Sequence, residues 1–274
     1  MKANFDVVGL DELPEALRSS RDKPALITFD DGYRDNAEVA FPILRGHRAP
    51  ATFFVTTGFI DTPSLAWWDL IALMLVRAGD RAPKMLANVW QTFRQDSVPS
   101  PANALSSLLR IYKGLPGDQT SAFLSDLRQR LDPNGDVDQE ARAIASNLWM
   151  DWSMIRHLKS NGMSVGGHTV THPVLARLTP EAQLAEIAGC RARLAEELSE
   201  APIAMSYPVG CRSCFDEVTR RAMTEAGFAY GFSYYGGTQQ RTVVDVLDMH
   251  RTAVEHDFTF DRFVAVCGWP QLLA

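Results

Sequence analysis

The chain has 274 residues, 46% of them hydrophobic, and a formal charge of −6. That length and apolar content suffice for a full core in a single domain, since one α/β barrel commonly takes about 250 residues, and the acidic balance excludes the broad basic surface that nucleic-acid binding needs. No apolar run approaches the roughly 18 residues of a membrane span, and Met1 to Leu10 lack the basic-then-apolar plan of a signal peptide, so the chain as given reads as soluble, cytoplasmic and unexported.

In chain order, Pro24 to Phe29 is an apolar run ending in Asp30-Asp31-Gly32, and reads as a buried strand with a loop at its C-terminal end. Asn36 to His47 has a helical pattern that Pro42 must end or kink. Ala51 to Thr57, rich in β-branched and aromatic residues, is the next strand and stops at Gly58, giving a β-α-β unit and hence parallel pairing. Residues 61 to about 147 break this rhythm: Trp68 to Arg77 and Gln119 to Leu131 are helical by pattern, with a loop around Pro99-Ser100-Pro101 between them. This stretch reads as a helical insertion in the single domain that spans 1–274.

The alternation then resumes. Gly162 to Gly167 is a strand, and Thr179 to Ser199 is a helix with Thr179 as N-cap and Pro180 at its first position. Pro202 to Ser206 is a strand, and Asp216 to Ala226 is a helix stopped by Gly227. Phe228 to Tyr234 and Met249 to Val254 complete the strands. Strands alternating with helices, with polar residues clustered just past strand ends, favour a parallel α/β barrel whose chemistry gathers at the C-terminal face. Of the four cysteines only Cys211 and Cys214 are close, and with Gly210 before them and no second such pair they read as an ordinary turn.

Three strand ends carry the chemistry. At Asp30-Asp31-Gly32 two carboxylates follow one another, and they can face one pocket only if the strand has ended there, which Gly32 permits. A bound divalent cation is the simplest way to keep both ionised, although the tripeptide alone reads more readily as a solvated turn. At Gly167-His168-Thr169-Val170-Thr171-His172-Pro173 two imidazoles lie four apart in a loop. With Asp31 they make a His-His-Asp set that leaves positions open for water and substrate, and imidazole suits zinc, cobalt, nickel or iron. Ser206-Tyr207-Pro208-Val209-Gly210 follows a third strand, and can aim a backbone N–H at a developing oxyanion or be a plain turn. Tyr33, Trp67, Trp68 and Tyr207 are candidates to stack on sugar rings, although Trp67-Trp68-Asp69 can instead anchor the insertion's helix in the core, and one of the two tryptophans is expected to do so.

Together TFDDGY, HTVTHP and SYPVG, in this order, resemble the polysaccharide deacetylases, the NodB-homology or carbohydrate esterase 4 family, over nearly the whole chain except the insertion. The resemblance implies a distorted parallel (β/α) barrel and removal of N-acetyl groups from amino sugars in a poly- or oligosaccharide. It implies Asp30 as catalytic base and Asp31, His168 and His172 as ligands of a divalent metal, zinc by default. The alternatives are a deformylase or amidohydrolase acting on a small or lipid-linked sugar amide, or a carbohydrate-binding domain without catalysis.

The sequence departs from the family pattern where many members carry Arg-x-Pro-Tyr-Gly: Ser206 stands at the arginine position and Val209 at the tyrosine position. The arginine that would orient the base is therefore missing, together with its Asp-x-x-Asp-Trp-like partner, a form that resembles exopolysaccharide deacetylases. Tyr33, Tyr207, Pro208 and the N–H of Val209 are the expected substrate and oxyanion contacts. His250 is the expected general acid, with His256 behind it.

Overall fold

The computed structural model describes residues 5–18, 23–93, 98–236, 244–254 and 258–268. The chain divides into two compact units: residues 1–61 with 150–274, and residues 62–149.

The first unit is built on parallel strands. They are β1 (Asp6–Val7), β2 (Pro24–Ala25), β3 (Thr28–Phe29), β4 (Thr52–Val55), β5 (Ser164–Gly167), β6 (Ala204–Ser206) and β7 (Tyr230–Phe232). β1 and β2 pair with each other, and the rest form one sheet in the order β3-β4-β5-β6-β7. Its strands follow one another around the sheet without the reversal that marks a doubly wound fold, and every pairing is parallel. The result is a distorted (β/α) barrel, curled but open between β7 and β3.

The expected strand Pro24 to Phe29 is split, because Pro24–Ala25 pairs with β1 while Thr28–Phe29 pairs with β4. The expected last strand, Met249 to Val254, is reduced among the described residues to a single bridge between Met249 and Phe232.

The helices of this unit are α1 (Leu13–Arg18), α2 (Phe41–Gly46) and α3 (Thr57–Asp61) before the second unit, which holds α4 (Trp67–Ala78), α5 (Ala82–Met85), α6 (Ala87–Thr92), α7 (Pro101–Gly114), α8 (Thr120–Leu131) and α9 (Asp136–Leu148). The first unit resumes with α10 (Trp152–Ser160), α11 (Pro180–Leu198), α12 (Glu217–Ala226) and α13 (Phe260–Gly268). α2 is preceded by a π-helical turn, Asn36–Ala40, in which the Phe41 N–H donates to the Asn36 carbonyl. Pro42 explains it: the ring has no N–H for the Glu38 carbonyl and would clash with it, so the turn ahead of it widens. Thr179 caps α11 by accepting from the Ala182 N–H, and Asp216 and Thr219 form a reciprocal cap on α12, which ends at Gly227 with φ +88°.

β4 shows how the sheet is packed. Its four residues are all buried, and successive side chains take opposite faces. Phe53 stacks on Phe29 and packs with Ile155, Leu158 and Val165, under the helices. Phe54 packs on the other face with Leu10, Leu13, Ala204 and Phe232. Each such phenyl, fully withdrawn from water, contributes about 2–3 kcal/mol. The second unit has aromatic packing of its own: Trp67 stacks on Tyr112 at 4.2 Å, and the Trp90 indole donates to the Pro83 carbonyl at 2.8 Å. Trp67 is thus a packing residue, not an exposed sugar platform. Among the described residues, no helix is long and apolar enough to cross a membrane.

Candidate active site

The C-terminal ends of β3, β5 and β6 bring the three sequence clusters together. Asp31 has φ +73° and Gly32 φ +93°, so the chain leaves the strand at once, and Asp30 and Asp31 escape the alternation that would send them to opposite faces. Thr169 (φ +66°), His172 (φ +57°) and Val209 (φ +62°) are also in the left-handed region. Four of the seven non-glycine residues found there among the described residues therefore sit in this site. Such backbone costs about 1–3 kcal/mol per residue and persists where the surroundings impose it, commonly at functional sites.

The surroundings that impose it are visible. Glu186 of α11 accepts hydrogen bonds from the N–H groups of Val170 (2.9 Å) and Thr171 (2.8 Å) and from the Thr171 hydroxyl (2.6 Å). Thr169 Oγ1 accepts from the His172 N–H at 3.0 Å. From α3, the Gly58 N–H donates to the Val170 carbonyl at 2.9 Å, so close that a Cβ at position 58 would meet that oxygen at 2.5 Å. The histidine loop is thereby held on both sides. Glu186 and Gly58 carry no motif signal that would have singled them out.

His168 Nε2 lies 3.2 Å and His172 Nε2 3.3 Å from the same oxygen of Asp31. One ligand atom from each of the three residues lies within 4.8 Å of the others. Ligands held at about 2.0–2.2 Å from one ion sit roughly 3–3.5 Å apart, so the spacing fits a divalent metal. The Ser206 carbonyl, which can only accept, lies 2.8 Å from His168 Nδ1, so Nδ1 carries a proton and Nε2 is the nitrogen turned to Asp31. Burial works to raise the Asp31 carboxyl, but hydrogen bonds from His168 and His172 outweigh it and hold it far below the usual range. Burial pushes His172 down, toward the neutral form a metal requires. For His168 burial acts the same way, and the charge of Asp30 and the bond to Asp31 reverse it. The donor set and its geometry fit a divalent metal ion.

Asp30 stands beside this set, with Oδ2 4.0 Å from His168 Nε2. Its partner is one that sequence reading missed. Arg251 Nη1 donates to Asp30 Oδ1 and Nη2 to Oδ2, each at 2.7 Å. The Ser206 hydroxyl donates to Oδ2 at 2.9 Å. Burial raises the Asp30 carboxyl, while the Arg251 charge, then His168 and the Arg251 hydrogen bonds, bring it net below the usual value. The missing guanidinium is therefore supplied from another part of the chain, and Ser206 bonds the same carboxylate. The only cue was an arginine beside the chosen His250.

His250, the expected general acid, has partners of its own. Its Nε2 is 2.9 Å from the Tyr235 hydroxyl, which donates to Asp248, and 3.9 Å from the Asp248 carboxylate. Arg251, the next residue, is the one whose side chain reaches Asp30. His256 lies outside the described residues. Tyr207 differs from the expectation: it is 1% exposed, stacks on Phe215 at 4.0 Å, and donates its hydroxyl to the Leu247 carbonyl, so its ring packs in the core instead of facing a sugar. Pro208 is buried, and Tyr33 and Val209 are half-buried. The turn expected at Cys211 and Cys214 is tied by a disulfide between them, directly after Gly210.

The family model for polysaccharide deacetylases matches residues 18–84 and 133–231, more than half of the chain. The chain belongs to the polysaccharide deacetylase family. Arg251 lies beyond the matched stretch. No curated protein is similar enough in sequence to count as a relative. Among solved structures, the Streptococcus pyogenes deacetylase PplD, in complex with acetate, is 17% identical, with 96% of this chain covering 80% of that one at a TM-score of 0.59. A de-N-acetylase from Aggregatibacter actinomycetemcomitans is 13% identical, with 96% of this chain and 83% of that one covered and the same TM-score. IcaB from Ammonifex degensii is 18% identical, with 98% and 84% covered, at 0.55. At these identities the likeness is one of fold.

Proposed function

We propose that this polysaccharide deacetylase removes N-acetyl groups from amino sugars within a poly- or oligosaccharide, releasing acetate, with Asp30 as base and a metal held by Asp31, His168 and His172. One observation carries the reading: a carboxylate that is not part of the donor set stands 4.0 Å from one of its nitrogens, held by donors of its own. A purely structural metal site has no use for such a group.

Zinc is the ion this donor set suits first, with cobalt, nickel and iron as alternatives. When bound, a divalent ion there supplies Lewis acidity, lowering the pKa of water toward neutrality and polarising an amide carbonyl. Asp30 takes the proton of the attacking water. The Val209 N–H, turned by the left-handed backbone, is our candidate donor to the oxyanion, a contact that needs no particular side chain. Having taken the proton, Asp30 returns it to the leaving amine in this reading, which the engagement of His250 with Tyr235 supports.

A panel of N-acetylated oligosaccharides, N-acetylglucosamine monomer and formylated sugar amides, read by release of acetate or formate and by free amine, tests the substrate class. Turnover rising with oligosaccharide length supports the reading. Turnover confined to a monomeric or formylated amide overturns it.

A further inference from the structure

The Cys211–Cys214 disulfide stands between two of the loops that carry the site. On one side it follows Val209 (φ +62°) and Gly210 (φ +64°), two left-handed residues in succession. A β-branched residue is a rare occupant of that region, so the turn must be held by its surroundings. The Gly210 carbonyl accepts from the Tyr234 N–H at 2.8 Å, and the approach is so close that a Cβ at position 210 would meet the Tyr234 Cβ at 2.6 Å. On the other side the Cys214 carbonyl accepts from the Ala176 N–H at 3.0 Å, in the turn Leu175–Arg177 that comes soon after His172 and Pro173. Between the two cysteines the Cys214 N–H donates to the Cys211 carbonyl at 2.9 Å.

Loop size decides what the bond does. Stabilisation by a cross-link grows with the logarithm of the loop it closes, and a separation of 3 residues is near the minimum. The bond therefore adds little to global stability and acts on the local backbone. Its sulfurs are unequally reachable: Cys211 is half-buried, with Sγ 3.4 Å from the hydroxyl of the exposed Ser213, while Cys214 is 3% exposed. A reachable disulfide is of the labile kind, open to thiol exchange.

We propose that Cys211–Cys214 is a thiol–disulfide site that sets the activity of this enzyme: the oxidised pair holds the Val209 turn and its amide in place, and a dithiol reductant releases them. A reductant thiolate attacks Cys211 Sγ, the S–S bond breaks, and Cys214 Sγ leaves as a thiolate that takes a proton. The reductant's second thiol then displaces Cys211 Sγ, which takes a proton in turn. Two electrons and two protons thus reach the protein, and the reductant ends as its own disulfide. The proposal rests on the deacetylase reading with Val209 as the oxyanion donor.

The test compares metal-loaded protein before and after treatment with dithiothreitol, reading thiols by alkylation in denaturant, bound metal, kcat, KM, and hydrogen exchange over residues 168–177 and 205–215. Free thiols are expected to rise from two, Cys190 and Cys267, to all four cysteines. kcat should fall about 10²-fold, the lower end of what a lost oxyanion donor costs, with KM and metal content nearly unchanged. Exchange should quicken in both segments, and reoxidation should restore rate and protection together. Cys211→Ser should start in the low state and not respond to the dithiol, which separates the loop from any metal taken by the reductant.

Four free thiols with kcat and exchange unchanged overturn the proposal, as does a disulfide that survives the dithiol in the folded protein. So does a loss of rate that tracks lost metal. Oxidised, metal-loaded protein that releases no acetate from any N-acetylated substrate removes the deacetylase reading instead, and hydrogen exchange then still decides whether the disulfide holds the turn.

Discussion

Arg251 and Asp30, 221 positions apart in the chain, meet through two 2.7 Å hydrogen bonds, one to each carboxylate oxygen. The pair stands next to three residues whose donor atoms converge, so the site holds two carboxylates with different work. Asp31 has two imidazoles as partners, and Asp30 has a guanidinium and a hydroxyl. On the proposed reading the first arrangement holds an ion and the second holds a base.

Replacing Asp30 by Asn keeps the shape and removes the proton acceptor. Bound metal should stay stoichiometric while kcat falls by about 10²–10⁴, the usual contribution of a positioned base. Metal content and initial rates on one preparation check this, and an Asn variant within tenfold of wild type removes Asp30 from the role.

Glu186 is not one of the three converging donors, yet it accepts three hydrogen bonds from the loop that carries His168 and His172. Glu186→Ala should weaken metal affinity by roughly 10–100-fold, as loss of outer support does, with less effect on kcat at saturating metal. Competition with a chromophoric chelator reads the affinity directly.

His250→Gln separates two assignments of the acid. With the ring bound to Tyr235 and Asp30 returning its own proton, the Gln variant should retain kcat within about fivefold, well under the 10²–10⁴ of a lost general acid. A loss of that larger size would give the role back to His250.

Stability at low pH is set in part by Asp61. It accepts from Arg193 at 2.9 Å and from the Trp152 indole at 2.7 Å, and Arg193 lies over the Trp152 ring. Burial raises this carboxyl, but those two partners hold it below its usual value. A depressed carboxyl stabilises above its unfolded pKa, near 3.9, and loses that contribution as pH falls through the folded value. Asp61→Asn should thus destabilise at pH 7 by about 1 kcal/mol, a figure kept small because Asp61 is partly exposed, and the gap to wild type should close as the pH falls below the ordinary carboxylate range. Urea melts at both pH values measure it, and a gap that widens in acid contradicts the account.

The strand-end clusters were legible because each is local. Asp30-Asp31-Gly32, His168 to His172 and Ser206 to Gly210 each lie on a short stretch, and a parallel sheet delivers its strand ends to one face. α11 and α12 were legible from Thr179, Pro180, Asp216 and Gly227, since caps act within one turn. What escaped were long-range partners. Nothing near Arg251 indicates Asp30, and nothing near Glu186 indicates the histidine loop, because neither pairing leaves a spacing in the chain. Tyr207 misled for the opposite reason: an aromatic beside a motif is chemically suited to a sugar, and only tertiary packing against Phe215 shows where its ring goes. The Pro24 to Phe29 run shows the same limit for strands, since one apolar stretch serves two different partners.

Acetate release from N-acetylglucosamine oligomers tests the central claim most directly, with purified protein assayed as prepared, after chelation, and after adding back zinc or cobalt. The account predicts release that chelation abolishes and metal restores, with His168→Ala and His172→Ala remaining inactive at metal concentrations that saturate the wild type. Release that survives chelation, or no release from a protein carrying one metal ion per chain, would contradict it.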